Sequence, residues 1–287
     1  MASLAKKIPS IAMRTASRMQ KGISVEWEDG LAAQFSYVWL RDNCAQRPAL
    51  LHLDLQSKPD NCCADANKLS MSWPPYIEST YTSAFLRTHA NPAFPTPVDE
   101  PCPEPVLPVP WTVLPFFPRN EVFKKGALAK EMWTEHGHEA GTRWPQFERI
   151  PSAVTVESHT KGAKITVVDA VEALSAMSEA HPEEFEFLTK APIQYHADLF
   201  KATHRLVNIK DGRIAGAIFN NELRSADITV DKVDFFFESL KTFHKVCLDR
   251  MKSLSLDPGS VLVCDNRQTL IGAPAQLGRR VSINVYQ

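Results

Sequence analysis

Pro258-Gly259-Ser260-Val261-Leu262-Val263-Cys264-Asp265-Asn266-Arg267-Gln268-Thr269-Leu270-Ile271-Gly272 joins a Pro-Gly turn to a short apolar strand and ends that strand on an Asp-Asn pair. Sheets bring polar side chains to the mouth of a pocket in this way. Asp265 and Asn266 are therefore candidate site residues.

Working outward, a final strand is expected from Arg280 to Tyr286, and upstream a helix over Lys232 to Lys252. Before it come a strand over Arg205 to Ile209, the turn Lys210-Asp211-Gly212 and a strand over Arg213 to Asn220. Val154 to Val156 and Ile165 to Val168 read as strands, and Asp169 as the cap of a helix over Ala170 to Glu179 with Val171, Leu174 and Met177 on one face. His181-Pro182 is expected to end that helix, with an acidic turn over Glu183 to Leu188 beyond it. The spacing of Val122, Leu128, Met132 and Trp133 predicts an amphipathic helix over Glu121 to Glu135, with His136-Gly137-His138 at its exit. Strands interrupted by one long helix predict an α+β domain with an antiparallel sheet or barrel over 119–287.

Residues 91–118 are dense in proline, which forbids regular helix, and read as an extended linker. Residues 23–90 read as a small all-β domain of two related hairpins. The first runs from Ile23 to Leu40 and the second from Leu69 to Leu86, with a tryptophan, Trp27 or Trp73, before each turn. Residues 1–22 hold Lys6, Lys7, Arg14, Arg18 and Lys21 and no acidic residue, the composition of a mitochondrial transit segment or of a plain basic arm. A cytoplasmic or mitochondrial location is expected.

The 287 residues have a net charge of -1, and 23% are charged, so neither nucleic acid nor a membrane surface is an expected partner. No apolar run is long enough for a spanning helix. Cys44, Cys62, Cys63, Cys102, Cys247 and Cys264 form no regular framework, which suits a reducing compartment.

Several stretches, in order along most of the chain, resemble the gamma-butyrobetaine and trimethyllysine hydroxylases, a TauD/TfdA-like branch of the Fe(II)/2-oxoglutarate dioxygenases. Trp27, Asp29-Gly30, Trp39-Leu40-Arg41-Asp42-Asn43-Cys44, Trp73 and Phe85-Leu86 are similar to that family's N-terminal module. Val167-Val168-Asp169-Ala170, His181-Pro182 with Phe185 and Leu188, Phe219 to Ser225, Val230 to Phe236, the opening stretch, and Arg280 with Tyr286 are similar to its catalytic domain. The resemblance implies a double-stranded β-helix over 110–287.

Iron in this class needs two histidines and a carboxylate. By register the family's distal histidine falls on Ile271, an aliphatic residue. The nearest counterpart of its His-x-Asp is His138-Glu139-Ala140, which keeps the histidine and replaces the carboxylate by a methyl group. In a second alignment Glu121 to Gly141 is the family's earlier helix and the whole His-x-Asp block is missing. His196-Ala197-Asp198 is a literal His-x-Asp, with His204 nearby, but lies downstream of the family's motif, and a polar loop is the preferred reading. The resemblance assigns the grip on the far carboxylate of 2-oxoglutarate to Arg280, beside Arg279. Asn220, Asn221 and Arg224 are candidates for orienting a polar ligand, and Trp133, Trp144 and Tyr286 for contacting a quaternary ammonium group. The N-terminal module of relatives carries zinc. Here Cys44 lacks a second cysteine in that spacing, His89 and Cys62-Cys63 are the remaining partners, and zinc is not expected.

The expectation is loss of Fe(II)/2-oxoglutarate chemistry and no cofactor. A metal-independent isomerase, cyclase or lyase acting on a small polar or carboxylate-bearing metabolite comes first, with Asp265, His138 and His196 as catalytic candidates and Asn220, Asn221, Arg224, Asn266, Arg280 and Tyr286 lining the ligand. An inactive binding or heteromeric partner protein is the alternative, and a dioxygenase with unconventional iron ligands a third. A homodimer, or a heteromer with a homologous chain, stays open.

Overall fold

The structure is a computed structural model that describes residues 12–91, 104–114, 126–229 and 232–287. The chain divides into two compact units, one of residues 1–93 with 226–238 and the other of 94–225 with 239–287.

The first unit repeats one motif. Strands β1 (Met13–Arg18), β2 (Gly22–Trp27) and β3 (Ala32–Ser36) form an antiparallel sheet followed by helix α1 (Tyr37–Asp42). Then β4 (Asn61–Ala64), β5 (Lys68–Trp73) and β6 (Ile77–Thr82) form a second sheet, followed by α2 (Ser83–Thr88). The indole N–H of Trp27 donates to Ser83 Oγ at 2.9 Å and that of Trp73 to Ser79 Oγ at 3.1 Å, so both buried tryptophans keep a polar partner.

Two expectations are corrected here. The return strands do not run on to Leu40 and Leu86, so this is not an all-β domain. Ser36 and Thr82 each accept a backbone N–H three residues on, from Trp39 and Phe85, and thereby start a helix. Tyr37, Val38, Trp39 and Leu40 are all buried, which a strand alternating between two faces does not achieve. The basic arm becomes strand β1 from Met13 onward, and residues 1–11 lie outside the described residues.

The second unit holds β7 (Trp111–Leu114), β8 (Ala129–Trp133), β9 (His138–Gly141), β10 (Ala153–Ser158), β11 (Ala163–Asp169), α3 (Ala170–Ala180), α4 (Pro182–Lys190), β12 (Pro192–Ala197), β13 (Phe200–Arg205), β14 (Val207–Lys210) and β15 (Arg213–Ala217). After α5 (Val233–Asp249) follow β16 (Lys252–Leu256), β17 (Val261–Asp265), β18 (Thr269–Ala273) and β19 (Val281–Tyr286). Two sheets form the frame, in the orders β7-β17-β10-β19-β8 and β16-β11-β18-β9. From β8 onward the strands of these sheets alternate between them, β8, β10, β17 and β19 in one and β9, β11, β16 and β18 in the other, except that β11 and β16 are neighbours in the same sheet. This is the winding of a double-stranded β-helix. Val154, Val156, Leu262, Cys264, Ile283 and Val285 from the first sheet share one buried cluster with Ile165, Val167 and Ile271 from the second. Their spacing of two along each strand puts them all on the inner faces.

Here too the local readings shift. Ala129 to Trp133 is a strand paired with β19, not the end of a helix; Leu128 and Met132, expected on an apolar face, are 50% and 45% exposed. Residues 121–125 of that expected helix lie outside the described residues. Gly137 is no helix stop. A Cβ there would meet Ala275 N at 3.2 Å, so it admits a close backbone approach. His181-Pro182 ends α3 as expected, but the acidic stretch beyond it is helix α4 and not a turn; Pro182 opens it, because its missing N–H falls where no intrahelical acceptor exists. Part of the expected linker is also structural: Trp111 to Leu114 pairs with β17 at a sheet edge, bounded by Pro110 and Pro115.

Candidate functional site

Asp265 ends β17 with its carboxylate fully engaged. Oδ1 accepts the N–H groups of Arg267 at 2.9 Å and Gln268 at 3.1 Å, and Oδ2 accepts that of Val106 at 3.0 Å. It lines an open cleft of about 650 Å³ together with Ser152, Lys210, Arg213, Arg267 and Gln268. Asn266 is completely buried and clamps a neighbouring loop. Its Nδ2 donates to the carbonyls of Arg143 at 2.9 Å and Pro151 at 3.0 Å, while its Oδ1 accepts the Arg143 N–H at 2.9 Å. Asn266 thus positions Arg143, a residue the sequence reading passed over. The only local signal was an arginine followed by Trp144, which adopts a left-handed φ of 55°.

Around β9 lies a second polar group. Ile271 on β18 faces Gly141 across the ladder, and Ala273 faces His138. The side chain of Ile271 is fully buried in the apolar cluster and has no lone pair to offer a metal. His138 stacks on Trp133, with ring centroids 4.3 Å apart, and its Nδ1 lies 3.7 Å from Glu222 Oε2. Glu222 Oε1 accepts the N–H of Glu139 at 3.0 Å. Burial alone would raise the Glu222 carboxyl, but His138, the Glu139 N–H and the charge of Arg143 together hold it below the usual range. Asn221 bridges, donating to Glu139 Oε2 at 3.1 Å and accepting from the Arg224 guanidinium at 3.2 Å. Asn220 donates to the Thr142 carbonyl and accepts the Leu223 N–H, each at 3.1 Å, tying this loop to the end of β9. Arg143 completes the group with its ζ carbon 4.8 Å from the Trp133 ring centre and Nη2 3.6 Å from Glu131 Oε2. Burial pulls its guanidinium below the usual arginine range against the pull of Glu131 and Glu222.

His196 is exposed near the end of β12, and Asp198 occupies the following turn at φ 52°. His204 is buried, and its Nε2 lies 3.0 Å from the Phe147 carbonyl. Arg280 is exposed, and its backbone N–H donates to Thr160 Oγ1 at 3.0 Å. The buried member of that pair is Arg279, whose guanidinium donates to the carbonyls of Pro274 and His136. Tyr286 is buried at the end of β19, where its carbonyl accepts the Ser152 N–H. In the first unit Cys44 Sγ accepts from Arg41 Nη1, and His89 Nδ1 lies 2.6 Å from Asp227 Oδ1. Among the described residues no three His, Cys, Asp or Glu side chains are grouped as a metal ion needs, and no helix is long and apolar enough to cross a membrane.

This winding, with polar residues gathered at the β17–β18 turn and the end of β9, agrees with a sequence likeness. Over 167 residues, 52% of this chain, it is 25% identical to trimethyllysine dioxygenase from Meyerozyma guilliermondii. The sequence likeness is to a trimethyllysine dioxygenase. The chain spans 41% of the length of that relative, and no family model matches it. Among solved structures, a taurine dioxygenase from Burkholderia xenovorans overlaps 55% of this chain and 61% of its own, at 14% identity and a TM-score of 0.42. An asparagine oxygenase solved with Fe(II), 2S,3S-3-hydroxyasparagine and succinate overlaps 62% of this chain and 56% of its own, at 11% identity and a TM-score of 0.44. At those scores the overlaps add nothing to the strand topology. In this chain strand β18 presents an isoleucine to the barrel core, and a polar group gathers around His138, Glu222 and Arg143.

Proposed function

We propose that this oxygenase relative has lost Fe(II)/2-oxoglutarate turnover and works as a metal-independent acid–base site for a small carboxylate-bearing metabolite. The reading is carried by what β9 and β18 present to each other: Ile271 against Gly141, neither side chain with a donor atom, and His138 opposite Ala273 with Glu222 at its Nδ1. A facial triad needs three ligating side chains, and here one histidine and one carboxylate face each other. An imidazole fixed by ring stacking and oriented by a carboxylate is suited to take a proton from a carbon acid, with the carboxylate stabilising the imidazolium that forms.

The test is hydrogen exchange in D2O. The expected result is that the wild-type protein accelerates exchange of the protons next to the carbonyl of at least one small 2-oxo carboxylate in a panel, and that His138→Asn abolishes this. Exchange no faster than buffer across the whole panel would overturn the acid–base reading. A second reading, an inactive binding or partner protein, is supported by how many polar groups are spent on backbone atoms: Asp265, Asn266, Asn220 and Arg279 all hold loops in place. Absent exchange together with retained ligand binding would favour it.

A further inference from the structure

Three buried donor atoms on two touching side chains have no hydrogen-bond partner among the described residues: Nε and Nη1 of Arg143 and Nε1 of Trp133. Arg143 is 4% exposed and Trp133 1%. Leaving such donors unmet is costly, most of all on a charged group, so their accumulation at one place calls for an acceptor. Glu131 does not supply it, since its Oε2 comes no nearer than 3.6 Å to Nη2 and it leaves Nε and Nη1 unengaged. The donors are held firmly. Asn266 bonds the backbone of Arg143 on both its N–H and its carbonyl, and the guanidinium lies over the indole, which is itself stacked with His138.

We infer that Arg143 and Trp133 form a subsite for a small carboxylate, with Asn266 as its positioning residue. A group of donors without acceptors complements a ligand whose oxygens only accept, and a guanidinium strengthens those bonds by its charge. Acetate and succinate are the simplest probes of that class. The subsite rests on these donors alone, so it stands or falls apart from proton transfer at His138.

Indole N–H resonances of ¹⁵N-labelled protein report on it directly, with Trp133→Phe identifying the Trp133 signal by its disappearance. Acetate or succinate is expected to shift that signal saturably, Arg143→Gln to weaken the response about tenfold or more, and Arg143→Lys to weaken it less. Glu131→Gln, on an edge strand and partly exposed, removes a competing carboxylate and is expected to tighten binding about two- to fivefold. If Arg143→Gln fails to fold, the Glu131→Gln comparison still decides. No saturable shift of the Trp133 signal, a response to phosphate or chloride alone, or a Glu131→Gln protein that binds no tighter would overturn the inference.

Discussion

Asn266 and Ile271 stand five residues apart and do opposite things, one making three buried hydrogen bonds and the other none. Replacing Asn266 by alanine strands the Arg143 N–H and two carbonyls and is expected to cost about 2–4 kcal/mol in urea unfolding. An unchanged midpoint would show the clamp to be dispensable. Ile271→Ala opens a cavity among Val167, Ile165 and their neighbours and is expected to cost about 2–5 kcal/mol, whereas an exposed or mobile Ile271 would lose far less. The importance of Asn266 was legible in the sequence, but its task was not. Its partners lie 115 and 123 residues away, and no local pattern announces contacts of that length. Distance also hid the pairing of Glu222 with His138, far apart in the chain, while Arg143, close in sequence to Trp133, carries no motif of its own.

At the level of elements, the strongly patterned segments were read correctly. Asp169 caps α3 as its spacing predicts, accepting the N–H groups of Val171 at 2.9 Å and Glu172 at 3.0 Å. Asp169→Ala is expected to cost about 0.5–2 kcal/mol, measured by thermal or urea denaturation, and Asp169→Asn considerably less, because the amide oxygen still accepts. Equal losses for the two would point to the charge and not the cap. The failures fall where a neighbour overrides local preference. Residues 129–133 suit a helix by composition, yet β19 offers a free edge, and pairing with it buries Trp133 while Met132 stays half exposed. Trp111 to Leu114 lies in a proline-rich run that argues against sheet, but prolines at its ends leave the strand itself intact. The helices after β3 and β6 were missed because alternation continues up to Ser36 and Thr82, and only the hydroxyl caps mark the change.

For the whole molecule, the cost of keeping histidines neutral inside the fold should appear in its pH dependence. Burial holds His204 below the ordinary imidazole value, with Arg267 adding to the effect and the Phe147 carbonyl opposing it; burial likewise lowers His244 against the pull of Glu139. Below about pH 6.5 the unfolded chain takes up protons that these folded imidazoles refuse, so unfolding gains and stability falls with pH. Above that value both states are neutral and these two groups contribute no slope. His204→Gln should flatten the decline between about pH 6.5 and 5, and an identical slope in wild type and variant would assign it elsewhere. The proposal that this β-helix does not run Fe(II)/2-oxoglutarate chemistry is tested most directly by titrating the metal-free protein with Fe(II) and following succinate release from 2-oxoglutarate under oxygen. No stoichiometric tight iron binding and no succinate above the protein-free background are expected; one tightly bound iron per chain with steady succinate release would contradict the proposal.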